Sequence, residues 1–271
     1  MEVKSGNQCV TLGVPNLKYM REKFEKLTDS QWEVMADFLP VQRKRKLDLR
    51  DVVDAIRWIN EVGSQWRNLP DCFPAWDAVY YYFRRWIHNG TLEVLNVGLN
   101  VLRRNGVGKA DTPSLSCADS QSVKAAPFIK NDKGIDGNKK VNGRKRQVLV
   151  DTMGLVWAVF VHAANGNDSV FGCKLLERVY GIFERVEKIL VDKGYEGQFM
   201  EMAKAMGIEA EISSRPPTER GFVPVKWRWV SERTFGWFNF FRRLSKDYEK
   251  TVESSEAWMF WANCQMIISK Y

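Results

Sequence analysis

The feature that most constrains this chain is a change of hydrophobic period near Pro113. Ahead of it, apolar residues recur at helical spacing; beyond it, short β-rich runs alternate with helical ones. Helices followed by alternating strands and helices predict an α/β domain preceded by an all-α region. Strands are expected at 115–119, 146–151, 155–163, 187–191 and 208–212. The second and third flank Thr152, Met153 and Gly154, which predicts an antiparallel hairpin. Helices are expected from a cap at Asn167 or Asp168 to about 181, at 197–206, at 229–245 and at 255–268.

In the amino-terminal half, Leu27-Thr28-Asp29-Ser30-Gln31-Trp32 reads as a helix start. Thr28 caps, Gln31 closes a capping box, and Leu27 staples onto Trp32, with the helix stopping near Pro40. A basic run at 43–46 leads into a second helix over 48–62, where Val52, Ile56 and Ile59 keep helical spacing. A third helix spans 74–89 with Val79, Phe83, Trp86 and Ile87 on one face, and a fourth follows over 91–102. Two helices across a tight turn, with Arg84 and Arg85 beside the apolar stripe, allow a DNA-binding helix-turn-helix. An ordinary bundle with solvated arginines stays open beside it. The polar, glycine-containing stretch 103–113 reads as a linker. The expected units are a tail at 1–26 with disorder at its tip, a helical DNA-binding region at 27–110, and a catalytic domain at 111–271.

Composition narrows the chemistry. Five cysteines, none in a C-x-x-C pair, fit a reducing cytoplasm and not a disulfide framework or a zinc site. With two histidines in 271 residues, a metal must be held mainly by carboxylates, which suit Mg²⁺ or Mn²⁺. The amino terminus lacks the plan of a signal peptide, and the apolar stretch 257–268 is too short to span a bilayer. No membrane association is expected. A net charge of +8 suggests a polyanionic partner.

Two expected strands end on aspartate, Asp119 and Asp192, each followed closely by a small residue, Ser120 or Gly194. Strand ends are where ligands gather in open α/β sheets. A third acid, Glu232, lies near the start of an expected helix. Three carboxylates can hold two divalent cations about 4 Å apart, one at the attacking and one at the leaving oxygen. Any single strand-end aspartate more often caps a turn, but three acids with two at matched strand ends point to a site.

Four segments then carry a family resemblance: 118–127 (ADSQSVKAAP), 139–151 (KKVNGRKRQVLVD), 191–195 (VDKGY), and 228–237 (RWVSERTFGW) running on to 242–249 (RRLSKDYE). They resemble the DDE transposases of bacterial insertion sequences, specifically the insertion-sequence-five group, and the amino-terminal part from Leu27 to Pro70 is similar too. The resemblance implies an RNase H-like core whose mixed sheet is flanked by helices, with Asp119, Asp192 and Glu232 as catalytic and metal-binding acids. It also implies two Mg²⁺ (or Mn²⁺) ions, double-stranded DNA at the terminal inverted repeats and at the target, and a homodimer or higher on paired ends. Arg228 matches the family's arginine before the third acid. Val225 and Asn239 stand where the family has tyrosine and lysine, and helical spacing offers Arg243 or Lys246 as the replacement cation. A nuclease that never joins strands and a non-catalytic DNA-binding protein from a decayed element remain the alternatives.

Basic residues flank the acids. Residues 124–146 carry a net +6 and 215–250 a net +5. The candidate DNA contacts there are Lys124, Lys139, Lys140, Arg144, Lys145, Arg146, Arg228, Arg233, Arg243 and Lys246, with Arg84 and Arg85 in the helical region. Trp227, Trp229 and Trp237 surround Glu232; core packing is the commoner role for a tryptophan, stacking on an unpaired base the rarer one.

Overall fold

The capping box at Thr28 forms as expected, its hydroxyl accepting from the Gln31 amide while the Gln31 side chain accepts from the Thr28 amide. It opens α1 (Asp29–Ala36), followed by α2 (Leu49–Val62), α3 (Trp76–His88) and α4 (Thr91–Asn105). The computed structural model describes residues 24–42, 46–213 and 229–271. The tip of the tail, most of the first basic run, Val225, Trp227 and Arg228 lie outside the described residues.

Gly90, at φ 75°, makes the tight turn between α3 and α4, a helix-turn-helix-like pair. Leu92, Leu95 and Leu99 of α4 are buried, so this helix is anchored in the core. Arg84 and Arg85 lie on exposed positions of α3. Sequence and structure differ over 103–113. α4 runs on to Asn105, and Arg104 is buried, its guanidinium 2.5 Å from Asp151 and bonded to the carbonyls of Ala110 and Thr112. The connection wraps an interior ion pair instead of floating as a linker.

The rest is a mixed sheet: β1 (Leu115–Lys124), β2 (Gly134–Asp136), β3 (Val141–Asp151), β4 (Val156–Ala163), β5 (Lys188–Val191) and β6 (Glu209–Ile212). β1 lies in the middle, antiparallel to β3 and parallel to β5. β6 extends the parallel side, while β4 and the short β2 pair with β3. This is the RNase H-like arrangement that the sequence led us to expect. The hairpin across Thr152, Met153 and Gly154 forms, with Gly154 at φ 84°. β1 and β3 are longer than expected and pair as far as Lys124 opposite Gly143. A side chain at Gly143 would place its Cβ only 1.8 Å from the Val123 carbonyl, so only glycine lets the strands close there.

Side-chain alternation gives the sheet two apolar faces. α5 (Asp168–Val179) and α6 (Gln198–Ala205) cover one, over Leu149, Ile189 and Val191. α7 (Trp229–Phe238) and α8 (Val252–Ile268) cover the other, over Cys117, Val148 and Leu190, in a cluster continuous with α1 to α4. Residues 27–110 and 111–271 thus share one core. α8 is buried along most of its length, and its interior polar side chains Glu256 and Asn263 are hydrogen-bonded. Trp258 stacks on Phe83 at 4.5 Å, joining the helical region to it.

β4 is an edge strand, and unpaired edge groups cost stability when buried. Side chains cover them here. Asn263 of α8 accepts from the Val156 amide, and Asn96 and Asn100 of α4 donate to the Val156 carbonyl. Asn263 also donates to both of those asparagines, at 2.7 and 3.0 Å. Farther along, Glu256 accepts from the Val161 amide and Arg178 donates to the Val159 carbonyl.

Candidate active site and the family of the chain

β1 and β5 run parallel with Cys117 opposite Leu190. Carrying that register two residues on sets Asp119 beside Asp192. Asp119 projects toward α7, where Ser231 meets it. β5 ends at Val191 because Asp192 caps a 3₁₀ turn over Lys193–Tyr195, its Oδ1 accepting from the Gly194 amide at 2.8 Å. β1 instead continues through Asp119, held by its antiparallel neighbour β3. Asp119 is therefore not at the end of its strand but at the point where β1 loses its parallel neighbour.

Asp119 and Asp192 are partly exposed and line one small cleft with Ser213 and Ser231 over Cys117 and Leu190. The Asp119 carboxylate is clamped: Oδ1 accepts from the Ser120 amide at 2.7 Å and Oδ2 from the Ser231 hydroxyl at 2.8 Å. Ser231 and Glu232 share the first turn of α7, with Ser231 buried and Glu232 exposed. The sequence singled out Glu232; Ser231 went unnoticed, because its partner lies 112 residues away and no local pattern marks the contact.

Burial, reinforced by Asp119 and Asp151, pushes the Cys117 thiol up to about 12, so no thiolate forms in the floor of the cleft at neutral pH. Tyr195 is buried under the opposite face of the sheet, donating to Gln147 at 3.1 Å. Burial first, then Asp119, Asp168 and Asp192, hold its hydroxyl well above the usual tyrosine range. Among the described residues no three of histidine, cysteine, aspartate and glutamate converge into a ready-made metal cluster. The donor set at the cleft, carboxylates and hydroxyls with no histidine or thiolate, fits a hard divalent cation.

Several sequence-predicted DNA contacts prove to be interior cations. Arg144 is fully buried, bonded to Asp247 at 3.1 Å and to the Glu249 carbonyl at 2.8 Å. Arg146, also buried, donates to the Leu244 carbonyl. Lys145 points to the other face and pairs with Asp168. Alternation along β3 explains the split, and a guanidinium enclosed by its own protein does not reach a phosphate. Arg243 is likewise buried, against Glu249 at 2.6 Å and the Ser64 carbonyl. The expected helix 229–245 stops at Phe238, since Phe241 and Leu244 turn inward around a 3₁₀ segment, Arg242–Leu244. Arg243 therefore does not share a helical face with Glu232.

Lys124, Lys139 and Lys140 are exposed, and Lys246 is half-buried. Lys124 lies five residues beyond Asp119, about 17 Å along the strand and on its opposite face. Arg233 lies between the rings of Trp229 and Trp237, 4.4 Å from each, and donates to the Met153 carbonyl. Those tryptophans thus hold a cation.

The sequence comparisons agree with this geometry. Residues 110–267, more than half of the chain, match the family model "Transposase DDE domain". Residues 27–96 match "Putative transposase of IS4/5 family". The chain is 30% identical over 125 residues, 43% of its length, to "Putative transposase for insertion sequence element IS402" from Burkholderia cepacia. It is 35% identical over 71 residues, 25% of its length, to "Uncharacterized protein y4sN" from Sinorhizobium fredii. The chain spans 59% and 57% of the lengths of these two relatives. Fold, adjacent acids and sequence likeness lead to one conclusion: the chain belongs to the DDE transposases, in the IS4/5 family.

Proposed function

We propose that this protein binds the terminal inverted repeats of its insertion sequence and cuts and joins DNA strands there, with Asp119, Asp192 and Glu232 as the reactive acids. The observation that carries the reading is the β1–β5 register, which sets Asp119 beside Asp192, with α7 meeting Asp119 through Ser231, next to Glu232. Neighbouring carboxylates repel unless a cation is shared between them. The backbone amides of Ser120 and Gly194 and the Ser231 hydroxyl hold the two aspartates in place, so little reorganisation is needed when a substrate arrives. A bound divalent cation supplies Lewis acidity at the phosphodiester and at the attacking oxygen. In this reading Glu232, exposed in the first turn of α7, is the third acid, supported by Ser231 beside it, which ties that turn to Asp119. The exposed lysines Lys124, Lys139 and Lys140 and the arginines Arg84 and Arg85 are the remaining surface candidates for phosphate contact.

The test is nicking and end-joining of a plasmid carrying the element's ends, with Mg²⁺. Asp119→Ala, Asp192→Ala and Glu232→Ala are each expected to abolish both reactions while DNA binding persists. Full nicking by any one variant would overturn its assignment. Nicking without joining of pre-cut ends would reduce the activity to that of a nuclease.

A further inference from the structure

On the side of α7 away from the acids, an open cleft is bounded by Arg103, Met153, Gly154, Arg233, Trp237 and Lys270. Its cations come from three distant places in the chain: the last turn of α4, the first half of α7 and the end of α8. None of the three forms an ion pair among the described residues. Lysine and arginine are favoured at helix C-termini, which alone would account for Arg103 and Lys270. That reasoning does not reach Arg233, which lies in the first half of its helix, away from the C-terminus. Arg233 is half-buried, and its Nε is enclosed without a hydrogen-bond partner. It is nonetheless held firmly, by two indole rings and the Met153 carbonyl. The β3–β4 turn presses against it so closely that a Cβ at Gly154 would come within 3.2 Å of the Arg233 guanidinium. Arg233 is thus a partly desolvated, positioned cation, and the carboxylate whose charge reaches it, Asp151, is already paired with Arg104. It opens onto a cleft with two more cations, which calls for an anion from outside.

We propose that this cleft is a docking site for the DNA sugar–phosphate backbone, with Arg103, Arg233 and Lys270 each contacting phosphate. Arg233 follows Glu232 directly in α7, so this cleft adjoins the helix that carries the third proposed acid. The inference rests on the reading that the protein acts on DNA. Arg103 and Lys270 are the novel members, since no charge run near the acids contains them.

The experiment measures binding of the full chain to a fluorescent DNA duplex of arbitrary sequence across a range of salt concentrations. Each phosphate contact contributes roughly 0.9 to the slope of log affinity against log salt. Arg103→Ala/Lys270→Ala is expected to make that slope shallower by about 2 and to weaken binding at low salt, with an unchanged thermal midpoint. Lys174→Ala/Lys188→Ala, which removes two lysines paired with glutamates elsewhere, is expected to leave the slope alone. An unchanged slope in the first double variant, or an equal loss in the second, overturns the cleft while the DNA reading stands. A wild-type chain without salt-dependent DNA binding overturns both.

Discussion

Ser231 donates a 2.8 Å hydrogen bond to Asp119, tying the first turn of α7 to the central strand of the sheet. The contact fixes more than one carboxylate. It also anchors the turn of α7 that carries Glu232, the next residue.

Ser231→Ala removes that tie while Asp119 keeps the Ser120 amide. A hydrogen bond to a charged group is worth about 1.5–3 kcal/mol, so nicking is expected to slow roughly ten- to hundredfold. The Mg²⁺ concentration for half-maximal rate should rise as well. A Mg²⁺ titration of initial nicking rates checks both, and wild-type values would show that Ser231 does not position Asp119.

Arg144→Met should destabilise the fold instead of weakening DNA binding. It leaves Asp247 buried without its guanidinium and strips a donor from the Glu249 carbonyl. Breaking a buried pair costs about 3–5 kcal/mol. Urea unfolding should show a lower midpoint, while the salt slope for DNA binding stays at the wild-type value. A stable variant with a shallower slope would return Arg144 to the DNA surface.

Asn263→Leu tests the covered edge of β4. It orphans the Val156 amide and removes the donor shared by Asn96 and Asn100. Each stranded group costs about 1–3 kcal/mol, so with three of them a total loss of at least about 3 kcal/mol is expected. Differential scanning calorimetry would read it as a lower melting temperature. An unchanged melting temperature would mean that the edge tolerates exposure.

His162 predicts an acid-side loss of stability. The ring is buried, stacked 4.1 Å from Phe171, and bonded to Gln147 and to the Ala163 carbonyl. Burial first, with nearby Lys145 adding to it, lowers its pKa from 6.5 to about 4, against the Ala163 bond that raises it. The unfolded chain therefore takes up this proton before the folded one does. Stability from this group is constant above pH 6.5 and falls as pH drops toward 4, by up to about 1.4 kcal/mol per pH unit. His162→Gln should flatten the pH dependence of the urea midpoint in that window; an unaltered slope would assign the acid sensitivity to other groups.

Much of the architecture was legible because it rests on local periodicity. Val52, Ile56 and Ile59 spell a helix wherever that stretch lies, and the Thr-Met-Gly turn spells a hairpin. The two aspartates were legible for a related reason: each ends an apolar run and is followed closely by a small residue, Ser120 or Gly194. Charge runs were misleading. Arg144, Lys145 and Arg146 look alike in sequence, yet strand alternation sends two to one face and one to the other, and distant carboxylates or carbonyls enclose all three. Arg104 looked like part of a linker because nothing nearby announces Asp151, 47 residues on.

By itself, the sequence determined the element types, the order of helices before sheet, and the acids Asp119, Asp192 and Glu232 as candidates. Hydrogen-bonded periodicity and turn chemistry act over a few residues, so they are written locally. Only the tertiary structure decided that β1 and β5 align in the register that sets two acids side by side, that Ser231 clamps one of them, and which cations face water. Those outcomes depend on which distant surfaces bury each other, and a buried charge is settled by the partner that encloses it.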